Sequence, residues 1–67
     1  MKIILNNTEQ IINKETLTVT ELLQIRIYTF KMIVVKINGV LIRKPEYDNT
    51  QIHDGDQVTV LHLVSGG

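Results

Sequence analysis

The strongest constraint on this chain is that it is short and has nothing to staple it. With 67 residues and no cysteine, neither disulfides nor a thiolate metal site can hold the fold, so one apolar core must do so. A chain of this size buries only about 60% of the surface that its unfolded form exposes, which is enough for one compact domain and too little for two. A ligand cavity, typically about 300 Å³ or more, would be hard to spare from so small a core, so the chain is not expected to be an enzyme by itself. It also carries no thiol of its own, and any sulfur chemistry must use a partner's sulfur.

The order of apolar runs and turn signals sets the fold class. Lys2 to Leu5 reads as a strand, Asn6-Asn7 as a tight turn that admits positive φ, and Thr8 to Ile12 as the returning strand. Thr18-Val19-Thr20-Glu21 fits a capping box, the Thr18 hydroxyl accepting from the Glu21 amide and the Glu21 carboxylate reaching back to the Thr18 amide, so a helix should start there. Val19, Leu22, Leu23 and Phe30 recur at helical spacing, whereas Ile25 to Thr29 alternates as a strand would; the end of the helix stays open across residues 24–31. Met32 to Ile37 is a further strand, Asn38-Gly39 the strongest turn signal, and Val40 to Ile42 the continuation. After a turn around Gly55, Gln57 to Val64 forms the last strand, with Val58 and Val60 on one face and Leu61 and Leu63 on the other. This order predicts an α+β domain over residues 1–64, a mixed sheet of four to five strands crossed by one main helix, followed by a flexible tail over residues 65–67.

Composition excludes several functions. Seven basic residues balance seven acidic ones, and binding to a phosphate backbone normally needs a basic excess on one face, so no nucleic-acid partner is expected. The start MKIILNNTEQ is far short of a signal peptide, and no stretch approaches the ~20 apolar residues of a membrane helix. The expectation is a cytoplasmic protein, monomeric when free and without a membrane partner.

Chemistry is concentrated where the chain stops. Gly66 and Gly67 follow Ser65 directly after the last strand. Lacking a Cβ, two glycines can lie extended in a channel too narrow for side chains and bring their backbone close to a nucleotide. A carboxylate delivered that way can attack the α-phosphate of ATP, and the resulting acyl-adenylate is an electrophile for a thiol or persulfide. Small residues also collect at frayed ends and in linker remnants, which is the plain alternative. His53 reads as a solvated turn histidine and His62 as a surface or core-edge residue; Asp54 and Asp56 read as turn formers, and no metal site is expected. Ile4, Leu61 and Leu63 alternate against the core-facing Ile3, Leu5, Val58 and Val60. They either form an exposed docking patch or belong to a core under the helix.

Taken together, MKIILNN, Thr18-Val19-Thr20-Glu21-Leu22-Leu23, Ile37-Asn38-Gly39 with Lys44 and Tyr47, Asp54-Gly55-Asp56-Gln57-Val58 and Gly66-Gly67 resemble the thiamin-biosynthesis sulfur carrier family, ThiS. The chain departs from that pattern at Ile25 to Phe30, at Asn13 to Thr16 and at Pro45. Its ending Val64-Ser65-Gly66-Gly67 is also similar to the molybdopterin-synthase small subunit, MoaD. The resemblance implies a ubiquitin-like β-grasp fold. It further implies that Gly67 is adenylated by an E1-like enzyme of the ThiF type, which uses ATP and Mg while this chain binds no cofactor. A persulfide donor would then convert Gly67 to a thiocarboxylate, and the sulfur would pass to thiazole on a thiazole synthase of the ThiG type. Gly66, Ser65, Val64, Leu63, Leu61 and Ile4 would contact partners, and because the resemblance places a partner-contacting apolar residue at Leu61, that residue is the best candidate for the apolar patch. The alternatives left by the sequence are a molybdopterin-type or other sulfur carrier, an interaction module with an incidental diglycine, and a protein modifier.

Overall fold

The computed structural model describes residues 1–25 and 33–62, with the side chain of His62 excepted. Strand β1 (Lys2–Leu5) turns at Asn6 and Asn7, both at positive φ (49° and 67°), into β2 (Thr8–Ile11). Asparagine tolerates this left-handed region because its short polar side chain can bond locally. A two-residue strand β3 (Leu17–Thr18) runs directly into helix α1 (Val19–Ile25). Strand β4 (Ile33–Ile37) turns at Asn38-Gly39, with φ of 51° and 83°, into β5 (Val40–Ile42). A 3-10 turn (Lys44–Glu46), β6 (Gln51–Ile52) and β7 (Gln57–His62) complete the described chain.

The main sheet has the order β2-β1-β7-β4-β5, and β3 pairs separately with β6. Among the described strands only β1 and β7 run parallel; the other pairs are antiparallel. Ile3, Leu5, Val35, Ile37, Val58 and Val60 turn one face of this sheet inward, where Val19 and Leu22 of the helix and Leu17 and Ile52 of the small pair close the core. The mixed sheet crossed by one helix is therefore as expected, with five strands in it. The β3–β6 pair was not legible, since two residues per strand show no periodicity. Ile25, which alternation grouped with a strand, is helical; Phe30 and the rest of 26–32 lie outside the described residues, as do Leu63, Val64 and the tail.

The helix begins as the capping box requires. The Glu21 amide donates to Thr18 Oγ1 at 3.1 Å and the Thr18 amide donates to Glu21 Oε1 at 2.9 Å. Lys14 Nζ donates to the other Glu21 oxygen at 2.8 Å. The next two helical amides find distant acceptors, Val19 N donating to Thr50 O at 3.1 Å and Thr20 N to Tyr47 O at 3.3 Å. The Thr20 hydroxyl donates to Asp48. The loop after β5 thus satisfies donors that a helix start leaves unpaired, which joins the helix to the segment leading into β7.

Two outcomes follow from the cap. Thr18→Ala should cost about 1 kcal/mol of stability, read by denaturant unfolding. The Glu21 carboxyl is held below the usual carboxylate range, chiefly by Lys14 and then by the Thr18 amide. A carboxyl with a depressed folded pKa contributes its stabilisation above the unfolded value, about 4.3, and loses it as pH falls through the folded value. Glu21→Gln should accordingly lower Tm at pH 7, and the gap to wild type should close below about pH 4.

Candidate functional site

Strand β7 leads to the C-terminal residues and runs through the middle of the sheet, so its two faces divide the labour. Val58 and Val60 are buried, whereas Leu61 is 50% exposed on the opposite face. Facing residues of paired strands share a face. The registers Val34↔Leu61, Lys36↔Thr59 and Lys36↔Leu41 therefore put Leu61 beside Val34 on the outer face, with Leu41 one strand further out. Leu41 is as exposed as Leu61, and Val34 is half-buried. An apolar patch with Lys36 among its members thus flanks the C-terminal half of β7, on the side that the helix does not cover.

Ile4 also lies on the outer face and is half-buried. It sits opposite Gln57 on one side and Glu9 on the other. Gln57 is four residues before Leu61, roughly 13 Å along a strand, so the structure groups Leu61 with Val34 and Leu41 rather than with Ile4. Leu63, Val64, Ser65, Gly66 and Gly67 lie outside the described residues. Val34 and Leu41 were not singled out from the sequence. The available signal was alternation: with Val35 and Ile37 inward, Val34 must point outward, and Leu41 follows through its pairing with Lys36.

The polar residues serve the turns. The Asp56 carboxylate accepts from the His53 amide at 2.8 Å and from Asn38 Nδ2 at 3.0 Å, while Asp54 Oδ1 accepts from the Lys2 amide at 2.6 Å. His53 is exposed, with Nδ1 3.7 Å from Asp56 Oδ2. Gly55, at φ +87°, donates its amide to Lys2 O at 2.6 Å. Burial pushes the Tyr47 phenol above its ordinary value, so it stays neutral near pH 7. Among the described residues there is no buried polar or charged side chain, no cluster of three or more His, Asp or Glu able to hold a metal, and no helix long and apolar enough to cross a membrane. What the described residues present outward at β7 is the apolar patch of Leu61, Val34 and Leu41.

Comparison with known proteins agrees with this geometry. The ThiS family model matches residues 2–67. The crystal structure of a thiamine biosynthesis protein (ThiS) from Geobacter metallireducens is similar at a TM-score of 0.88 and 30% identity, covering 100% of each chain. An NMR solution structure of a thiamine biosynthesis protein from the same organism is similar at a TM-score of 0.78 and 30% identity, covering 100% of this chain and 88% of that one. A search of curated proteins returns no match.

The division between the faces can be tested by stability alone. Leu61→Arg should change stability by no more than about 0.5 kcal/mol, as for other exposed positions. Leu22→Ala, at a fully buried position, should cost about 2–5 kcal/mol. Denaturant unfolding of both variants measures the contrast.

Proposed function

The chain belongs to the ThiS family, whose members are small ubiquitin-like sulfur carriers of thiamine biosynthesis, and from that premise we propose that Gly67 is the residue that carries the sulfur. The observation behind this reading is that the family match extends over residues 2–67 and so takes in Gly67. Two similar solved structures are thiamine biosynthesis proteins, which favours the thiamine pathway over a molybdopterin one.

On this reading the carboxylate of Gly67 attacks the α-phosphorus of ATP in an E1-like adenylating enzyme, and pyrophosphate leaves. The terminal sulfur of a persulfide then attacks the acyl carbon and displaces AMP. The new bond is C–S; cleavage of the persulfide's own S–S bond in this acyl disulfide by a second thiol leaves a thiocarboxylate on Gly67 and a disulfide between that thiol and the donor's. A thiazole synthase takes the sulfur. This chain supplies a carboxyl free of side-chain bulk, a Ser65-Gly66 segment that can enter a narrow channel, and the outer apolar patch for docking. Leu61 with Val34 and Leu41 forms the centre of that patch, and Leu63, Val64 and Ile4 would extend the contact. ATP and Mg are bound by the partner enzyme.

Deletion of Gly67 separates this proposal from an incidental diglycine. The shortened chain still ends in a glycine carboxylate, but about 3.3 Å short of the α-phosphate if the segment is extended. A misplacement of ~1 Å can already cost on the order of a hundredfold in rate. With a cognate adenylating enzyme and Mg-ATP, the full chain should release pyrophosphate and, with a persulfide donor, exchange one oxygen for sulfur by intact mass. The truncated chain should bind normally and react very slowly. Equal pyrophosphate release from both would overturn the assignment of Gly67.

A further inference from the structure

The hairpin turn at Asn6 does more than reverse the chain. Along the parallel β1–β7 ladder, Ile4 N donates to Asp56 O and Asn6 N donates to Val58 O, each at 2.9 Å. At Asn6 the backbone leaves for β2, with φ +49°. A longer β1 would next have served the N–H and C=O of Val60, because amides of alternate residues in a strand point to alternate neighbours. The Asn6 side chain serves both instead. Its Oδ1 accepts from Val60 N at 2.8 Å and its Nδ2 donates to Val60 O at 3.1 Å. A carboxamide has the donor and acceptor of a peptide unit, so Asn6 prolongs β1 by one peptide-equivalent after the chain has turned away. Val60 is 3% exposed, so water is a poor substitute for these bonds.

We infer that Asn6 is a positioning residue for the C-terminal segment: β7 runs on through Leu61 and His62 in register with β4, and the clasp on Val60 holds the opposite, β1-facing edge of that strand end, steadying the root from which the chain runs on to Gly67. The inference rests on the reading that Gly67 is delivered into a partner's site. Without the clasp the end of β7 is held from β4 alone and frays more readily; each residue that frays from it displaces the root of the segment by about 3.3 Å, as much as deleting Gly67 would, and so spreads the positions from which the carboxylate is presented. Of the outer patch, Val34 and Leu41 stand on β4 and β5 and stay in place, and Leu61 keeps its pairing with Val34. A loss of the clasp therefore acts on kcat more than on KM.

The β4–β5 turn supplies the control. Asn38, also at positive φ, grips the opposite end of β7, its amide donating to Gln57 O at 2.7 Å and its Oδ1 accepting from Gln57 N at 2.9 Å. Glycine at either position keeps the turn conformation and removes the carboxamide. Asn6→Gly should speed amide hydrogen exchange at Val60 on the order of tenfold and lower kcat for pyrophosphate release by roughly tenfold or more, with a clearly smaller change in KM. Asn38→Gly should lower Tm to a similar degree and leave kcat near wild type. Unchanged exchange at Val60, unchanged kcat in Asn6→Gly, or an equal fall in both variants would overturn the inference, the last by reducing it to general stability. Should Asn6→Gly not fold, Asn6→Asp keeps the acceptor for the Val60 amide and loses only the donor; unchanged kcat there overturns it equally. If the wild-type chain releases no pyrophosphate, the sulfur-carrier reading fails and the positioning role with it, whereas Val60 exchange still reports on the clasp itself.

Discussion

Strand β7 is gripped from both sides, by β1 in parallel and by β4 in antiparallel register, and the rest of the domain depends on that double pairing. A central strand must put its backbone groups into hydrogen bonds on both edges, because buried unpaired amides are costly. Its inward residues Val58 and Val60 then have neighbours on each side, Leu5 across one register and Val35 and Ile37 across the other. Helix α1 closes over this surface with Val19 and Leu22. Without β7 the two hairpins would share no edge, and the helix would have no continuous face to cover.

The two hairpin turns show how so small a chain secures its central strand. Each carries an asparagine in the left-handed region, and each turns its carboxamide onto β7, Asn38 at Gln57 and Asn6 at Val60. A tight turn would otherwise end the ladder at the point where the backbone departs. Side-chain amides carry the pairing further without lengthening the strands, a useful economy where 67 residues must supply a whole core. Asp54 and Asp56 act in the same way at the preceding turn, binding it to β1 and to the β4–β5 hairpin.

The same strand separates folding from function. Its inward face belongs to the core, and its outward face offers Leu61 to solvent beside Val34. A half-exposed leucine contributes little to stability and much to a contact with another protein, since burying it there removes apolar surface from water. The sulfur-carrier reading uses this division. On that proposed reading the partners carry out the chemistry, and this chain contributes its outer apolar surface and Gly67.

What the sequence by itself determined were features written in neighbouring residues. The Thr18–Glu21 capping box, the two asparagine turns and the inward set Ile3, Leu5, Val58 and Val60 were legible because caps, turns and strand alternation depend on spacings of one to four residues. The motif order that resembles a sulfur carrier was legible for the same reason. Tertiary structure alone decided what depends on which strands become neighbours. It brought Leu61 to Val34 rather than to Ile4, paired Leu17 with Ile52 across the chain, and gave the Asn6 carboxamide to Val60, 54 positions away. No local pattern encodes such contacts, because the position of a side chain's partner is set by the packing of the whole sheet and not by the residues beside it.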